Sequence, residues 1–187
     1  MSGQAGSTAS ACDEIRHVMR MFPNGVALVT NWVDGRPWGL TVNTFNSASF
    51  DPPQVLVSLS RHTASFGAIR KTGHFGISLL SDSQIDVARF GAASGEPKFL
   101  EEYTADRLEG VSPPSVGLQA VSVSISPMIR GAHRHVDCEV AGIFDGGDHG
   151  LVLGDVRAVR AGSMDSRVSP LLYYDGAYRH LGRRIRA

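Results

Sequence analysis

Three dipeptides constrain this chain more than any other feature of it. Asp34-Gly35, Gly146-Gly147 and Asp175-Gly176 each separate two runs rich in β-branched and aromatic residues. Such pairs suit two-residue loops, so each marks a β-hairpin. The first joins GVALVTNWV to RPWGLTVNTF. The second, within Asp145-Gly146-Gly147-Asp148, joins VDCEVAGIF to HGLVLGDVRAV, and the third joins LLYY to AYRHL. Hairpins link antiparallel strands, whereas parallel strands need long crossovers. Further strands are expected at QVLVSLS, HFGISLL and QAVSVSISP. In QVLVSLS both faces carry apolar residues, as in a central strand, and Asp51-Pro52-Pro53 breaks the ladder before it. At least seven strands with mostly short links predict a mainly β fold, an antiparallel barrel with a few flanking helices.

The helices are fewer. Ile15, Val18, Met19 and Phe22 fall at i, i+3, i+4 and i+7 and predict a helix over 12–22, stopped by Pro23-Asn24-Gly25. Thr63 or Ser65 suits the cap of a second helix over about 63–71. Ser81 with Gln84 three residues on makes a capping box, opening a third helix through Phe90. Residues 1–10 are small and polar and are expected as a disordered tail, with 11–187 forming one domain. Gly91 to Pro114 is expected to be an excursion packed on that domain.

Charge and composition remove several classes. Eighteen Lys and Arg balance eighteen Asp and Glu. A nucleic-acid binder led by phosphate contacts would carry a basic excess. No apolar run approaches the about 18 residues of a membrane span. The first residues lack the basic and apolar regions of a signal peptide, so a cytoplasmic protein is expected. Cys12 and Cys138 are the only cysteines, which supports neither a disulfide framework nor a CxxC zinc site. His133 and His135 would share a strand face and could build half a metal site. With no third ligand indicated, a solvated strand face without metal is the expectation. P-loop, dinucleotide-fingerprint, nucleophile-elbow and H-E-x-x-H patterns are all absent from the sequence.

The chemistry concentrates between Gly39 and Phe66. Thr41, Asn43, Thr44, Ser47, Ser49, Ser58, Ser60, Thr63 and Ser65 form a dense set of small hydroxyls and amides on strands and at a helix mouth. A flavin ring needs hydrogen-bond partners along its polar edge and a flat apolar wall. Its phosphate needs hydroxyls, backbone N–H groups and often a helix N-terminus. A polar-faced hairpin plus a capped helix would give the same pattern without a ligand.

GLTVNTFNSASFDPP resembles the signature block of the flavin reductase domain family, the reductase component of two-component flavin-dependent monooxygenases. FPNGVALVT, HFGISLLSDSQIDVARF, DGGDHGLVLGDV and PLLYYDGAY resemble its other blocks in order. Residues 101–117 show no match. The resemblance implies a Greek-key split barrel that binds FMN or FAD. It places Thr41, Val42, Asn43 and Thr44 along the ring or its ribityl chain, and Ser47, Ala48 and Ser49 at the pyrimidine side. Ser58, Leu59, Ser60, Thr63, Ser65 and Phe66 would wrap the phosphate, with Arg89 and Phe90 bringing a cation to it. His149 would stand near the nicotinamide as the catalytic residue, and Tyr174 would line the same pocket. Two departures are Thr44, where Ser or Ala is usual, and Phe50, where Leu is usual.

The resemblance thus implies an NAD(P)H:flavin oxidoreductase passing hydride from NADH or NADPH to FMN or FAD. Reduced flavin would serve a partner oxygenase, and the chain would be a homodimer. A non-catalytic split-barrel protein holding flavin or haem is the alternative. A split-barrel oxidase acting on a small phosphorylated substrate is a third reading, which would call for a basic cluster the sequence lacks.

Overall fold

The structure, a computed structural model, describes residues 5–105, 126–161 and 168–182. Helix α1 spans Ala5–Arg20. It begins earlier than expected, because residues 5–10 are helical and not tail. Ala5 and Ala9 favour helix by propensity but add no apolar stripe that would reveal it in sequence. Residues 1–4 lie outside the described residues.

Ten strands follow among the described residues: β1 (Asn24–Gly25), β2 (Ala27–Val33), β3 (Arg36–Val42), β4 (Asn46–Phe50), β5 (Pro53–Ser60), β6 (His74–Leu79), β7 (Arg134–Gly146), β8 (His149–Ala161), β9 (Leu171–Tyr174) and β10 (Ala177–His180). Helix α2 (Ala64–Thr72) lies between β5 and β6, and α3 (Ile85–Ala92) follows β6. Seven strands form one sheet in the order β3-β2-β6-β7-β8-β5-β4, and β1-β9-β10 form a second. Every pairing is antiparallel. The expected strand at 119–127 falls largely outside the described residues.

The turn chemistry works as its residues demand. Asp34 and Gly35 take φ of 50° and 77°, and Asp175 and Gly176 take 47° and 73°. Both central positions at positive φ match the twist of the flanking strands. At the second hairpin Gly146 pairs with His149, leaving Gly147-Asp148 as the loop.

Two cores share the sheet. Ala27 and Val29 of β2, Val55, Val57 and Leu59 of β5, and Phe66 and Ile69 of α2 belong to one. Leu28 of β2, Val87 and Ala88 of α3, Leu100 and Ile129 belong to the other. Alternation along β2 assigns successive residues to opposite cores. The capping box forms, with Gln84 Oε1 accepting from the Ser81 N–H at 2.9 Å. The excursion after α3 does pack on the domain through 98–104. Leu100 is fully buried and its N–H donates to the Pro37 carbonyl at 2.8 Å. The part of the excursion past residue 105 is outside the described residues.

The histidine expectation is corrected here. His135 is fully buried, not solvated. Its Nδ1 lies 2.8 Å from Ser78 Oγ, and its Nε2 lies 2.8 Å from Ser126 Oγ and 3.3 Å from Asp137 Oδ1. Ser126 Oγ stands 2.5 Å from Asp137 Oδ1 and donates to it, so it accepts from Nε2–H. Nδ1 then accepts from Ser78, and the ring is neutral. Burial drives its pKa below the ordinary value. Arg160 closes the cluster, Nε donating to Asp137 Oδ2 at 2.8 Å. Gly76 makes room for it, since a Cβ there would stand 2.0 Å from Ser126 Oγ. His133 is half-buried beside it and lines a cleft with Asn43 and Phe45.

Candidate functional site

The end of β5, the first turn of α2 and the start of β8 come together. Antiparallel register places Ser60 opposite His149 and Ser58 opposite Leu151. Thr44 Oγ1 reaches across from the β3–β4 loop and donates to the Ser58 carbonyl at 2.8 Å. Thr63 caps α2, its Oγ1 accepting from the Phe66 N–H at 3.3 Å and donating to the Ser60 carbonyl at 2.8 Å. The first N–H groups of a helix have no acceptor behind them, so those of Ala64 and Ser65 remain as donors. Thr44, Ser58, Ser60, Thr63 and His149 thus form one cluster.

Part of the expected set turns away from it. Leu59 and Phe66 are 1% and 6% exposed and face the core. Phe66 is seated against β8, where a Cβ at Gly150 would stand 2.3 Å from its ring. Ser65 is fully buried, its hydroxyl without a partner. These three can offer only backbone atoms. Thr63 has already committed its hydroxyl to capping.

Thr41, Val42 and Asn43 line a small cleft of about 210 Å³ with Tyr173 and Tyr178. The Thr41 hydroxyl is spent on α3, donating to the Ala88 carbonyl at 2.8 Å. Arg89 is exposed on α3. Burial raises the Tyr178 pKa, Tyr173 adds to the rise, and the positive charge of Arg89 opposes it. Phe90 instead packs on Tyr103, ring centroids 5.6 Å apart. Tyr174 is an exposed hairpin residue, and its neighbour Tyr173 lines the clefts. Successive strand residues point to opposite faces, so the hairpin motif identified the strand but not the side.

On β4, Ser47 and Ala48 are exposed on an edge strand. The register shifts between Ser47 and Ser49, which leaves Ala48 off the ladder. Ser49 Oγ accepts from the Asp51 N–H at 3.2 Å.

His149 Nδ1 is 2.7 Å from Asp148 Oδ1. The hydrogen bond to His149 holds the exposed Asp148 carboxyl below its usual pKa. With Nδ1 so engaged, Nε2 is the free edge of the ring. Arg61 was not anticipated. Its guanidinium pairs with Asp145, and its Nε donates to the His149 carbonyl at 3.1 Å. It clamps the hairpin tip to the start of α2. Only the pairing of β5 with β8 brings residues 61 and 145 together, so nothing local in the sequence signals it.

Hydroxyls, a helix N-terminus and a histidine thus meet where β5, α2 and β8 come together. The flavin reductase like domain model matches residues 19–182, and the chain belongs to that family. It is 33% identical over 164 residues to a flavin reductase from Pseudomonas putida, covering 87% of this chain and 86% of that protein. It is 31% identical over 167 residues to the reductase component of a 4-nitrophenol 4-monooxygenase from Rhodococcus opacus, covering 89% and 80%. The NADH:FAD oxidoreductase of Streptomyces globisporus, solved with NAD and FAD fragments, superposes with a TM-score of 0.73 at 26% identity, covering 91% and 93%.

Proposed function

We infer that the rim of β5, α2 and β8 holds the flavin and that this chain is an NAD(P)H:flavin oxidoreductase. The observation that carries the reading is the Thr44–Ser58–Ser60–Thr63–His149 cluster, assembled from three separate parts of the chain. The donor set fits the group. Ser60 and the free N–H groups of α2 suit a phosphate, with the helix dipole adding to them. The Ala48 bulge suits the ring's polar edge. Arg89 approaches from the α3 side.

Flavin and nicotinamide supply the redox chemistry when bound, a hydride passing from nicotinamide C4 to flavin N5. The chain's own work is orientation. Arg61 and Asp148 fix the hairpin tip, so His149 presents Nε2 at one angle. No proton need leave or join a side chain for the hydride to move. His149 therefore acts on nicotinamide placement. The site is built mainly of neutral groups, which suits a flavin that leaves once reduced and passes to an oxygenase partner.

Two further elements belong to this reading. The stripe Ile15, Val18, Met19 on α1 is at least 50% exposed, and Phe50 is 87% exposed. Such apolar surface is suited to burial against a second copy, making a homodimer. No helix among the described residues is long and apolar enough to cross a membrane, and the proposed setting is the cytoplasm.

Stopped-flow oxidation of NADH and NADPH, with FMN, FAD and riboflavin compared, tests the function. Saturable oxidation that requires added flavin is expected. Flavin bound tightly with no oxidation of either nucleotide would favour the passive binder.

A further inference from the structure

Helix α1 does not bury its apolar stripe, and residues 11–20 are exposed on every side. Asp13, Arg16, His17 and Arg20 fall at i, i+3, i+4 and i+7 and share one face. Ile15 and Val18 lie on the opposite face, with Met19 at its edge beside Arg16. A surface helix normally turns its apolar stripe toward its own domain. Here the charged face, itself exposed, borders a cleft of about 600 Å³ together with Met19, Phe22, Asn43 and Tyr173. The mounting is specific, because the Asp175 N–H donates to the Arg20 carbonyl at 2.9 Å, tying the end of α1 to the β9–β10 hairpin. The Arg20 guanidinium then stands over the hairpin turn, 3.3 Å from where a Cβ of Gly176 would be.

The charges on this face are not consumed by one another. Arg16 Nη1 pairs with Asp13 at 2.9 Å, with both side chains 75% exposed. The rest of its guanidinium remains available. Arg20 and His17 have no ion-pair partner among the described residues. Facing them, Phe22 and Tyr173 offer aromatic surface and Asn43 an amide. Cations, rings and an amide around one cleft match a nucleotide, whose phosphates, base and ribose take those three kinds of contact. The cleft adjoins the smaller cleft bordered by Thr41, Val42 and Tyr178, since Asn43 and Tyr173 line both.

We propose that the charged face of α1, through Arg16 and Arg20, is a specificity wall that binds the adenosine phosphates of a dinucleotide entering the site. The inference rests on the flavin reductase reading given above. Two sources share this chemistry, the adenylate half of NAD(P)H and that of FAD. Arginine suits the role because its planar fork meets phosphate oxygens with two N–H donors. The 2′-phosphate of NADPH would add a further anion to the same wall.

The test uses the whole protein and the Arg16→Gln/Arg20→Gln double variant. Nicotinamide donors are NADPH, NADH and reduced nicotinamide mononucleotide, which lacks the adenylate, each with FMN as acceptor. In the wild type KM should be lower for the dinucleotides than for the mononucleotide. The variant should shrink that ratio about tenfold, more for NADPH than NADH, as expected for the loss of charge-assisted hydrogen bonds. Asp13→Asn should move the ratio the other way. A parallel titration compares the Kd of FAD with that of FMN. Loss of FAD preference alone assigns the wall to the flavin's adenylate and also supports the proposal. Ratios unchanged for both ligand pairs would overturn it, as would equal losses for the mononucleotide and the dinucleotides. Lys71→Gln, an exposed charge removed elsewhere, should leave every ratio as in wild type. Absence of flavin reduction in the wild type would instead refute the function, so the two failures are separable. Unchanged circular dichroism in the double variant confirms that α1 still forms.

Discussion

Two histidines in this chain each sit beside an aspartate, and they do opposite things. His135 lies 3.3 Å from Asp137 with both side chains at most 1% exposed. His149 lies 2.7 Å from Asp148 on a hairpin tip, with the ring 42% exposed. Around His135 every ring nitrogen is taken, by Ser78 on one side and Ser126 and Asp137 on the other. Around His149 one nitrogen is taken and the other is free. A closed set of hydrogen bonds supports structure, because breaking it leaves buried charge or unpaired dipoles. An open set can meet a ligand. Completeness of partners, more than identity of residues, separates a fold-holding cluster from a working one.

The largest effect should come from opening the closed cluster. Asp137→Asn leaves the buried Arg160 guanidinium without its counter-charge, at a cost of about 3–5 kcal/mol. Urea denaturation should show the loss, while flavin reduction per folded molecule persists. Equal damage to both quantities would blur the distinction between the two regions.

Acid should act on the same cluster. His135 stays neutral in the fold, so its contribution is present above the unfolded histidine value of about 6.5. It declines as pH falls below that, because the unfolded chain then gains a proton that the fold refuses. Burial opposes ionisation of Asp137, but its bonds with His135, Arg160 and Ser126 outweigh that and hold the carboxyl at about 2. Its contribution is full above an unfolded value of about 4 and fades as pH falls toward 2. Tm followed from pH 7.5 down to 3 should fall in two stages, and Asp137→Asn should remove the second.

At the open site, His149→Ala should raise KM for NAD(P)H about tenfold with kcat and flavin Kd little changed. A mutant that keeps its KM and loses flavin would move His149 into the flavin site. The smallest effects separate two serines. Ser60→Ala should weaken flavin binding by about 0.5–1.5 kcal/mol, the worth of one hydrogen bond. Ser65→Ala should leave affinity unaltered, since that hydroxyl is buried without a partner. Isothermal titration with FMN would show whether the two differ.

Features set by neighbouring residues were legible in the sequence. The Asp34-Gly35 and Asp175-Gly176 hairpins, the Ser81–Gln84 box and the Thr63 cap all depend on positions within four residues of one another. The interior place of QVLVSLS in its sheet, between β8 and β4, was legible for the same reason. Features set by distant partners were not. His135 looked solvated because Ser78 and Arg160 reach it only through sheet pairing. Tyr173 was passed over for Tyr174 because a period of two names two faces without saying which is wet. The resemblance implies a phosphate beside Ser65 and Phe66, and only the fold shows that both side chains turn into the core. The cluster of Thr44, Ser60 and His149 was reached through family resemblance, since no spacing in the chain joins them.

The strand glycines carry a consequence for how this sequence can vary. At Gly39, Gly76, Gly150 and Gly154 a methyl would stand within 2.6 Å of a neighbouring side chain: Leu100, Ser126, Phe66 and Phe75. Each is a socket whose occupant arrives from elsewhere in the chain, so neither half can change alone. Gly67, inside α2, meets nothing within 4 Å. Alanine there gains about 1 kcal/mol of helix propensity. A randomised library selected only for folding would therefore return the four sockets intact and Gly67 replaced, tracing in its survivors which empty spaces in this protein are seats and which are simply empty.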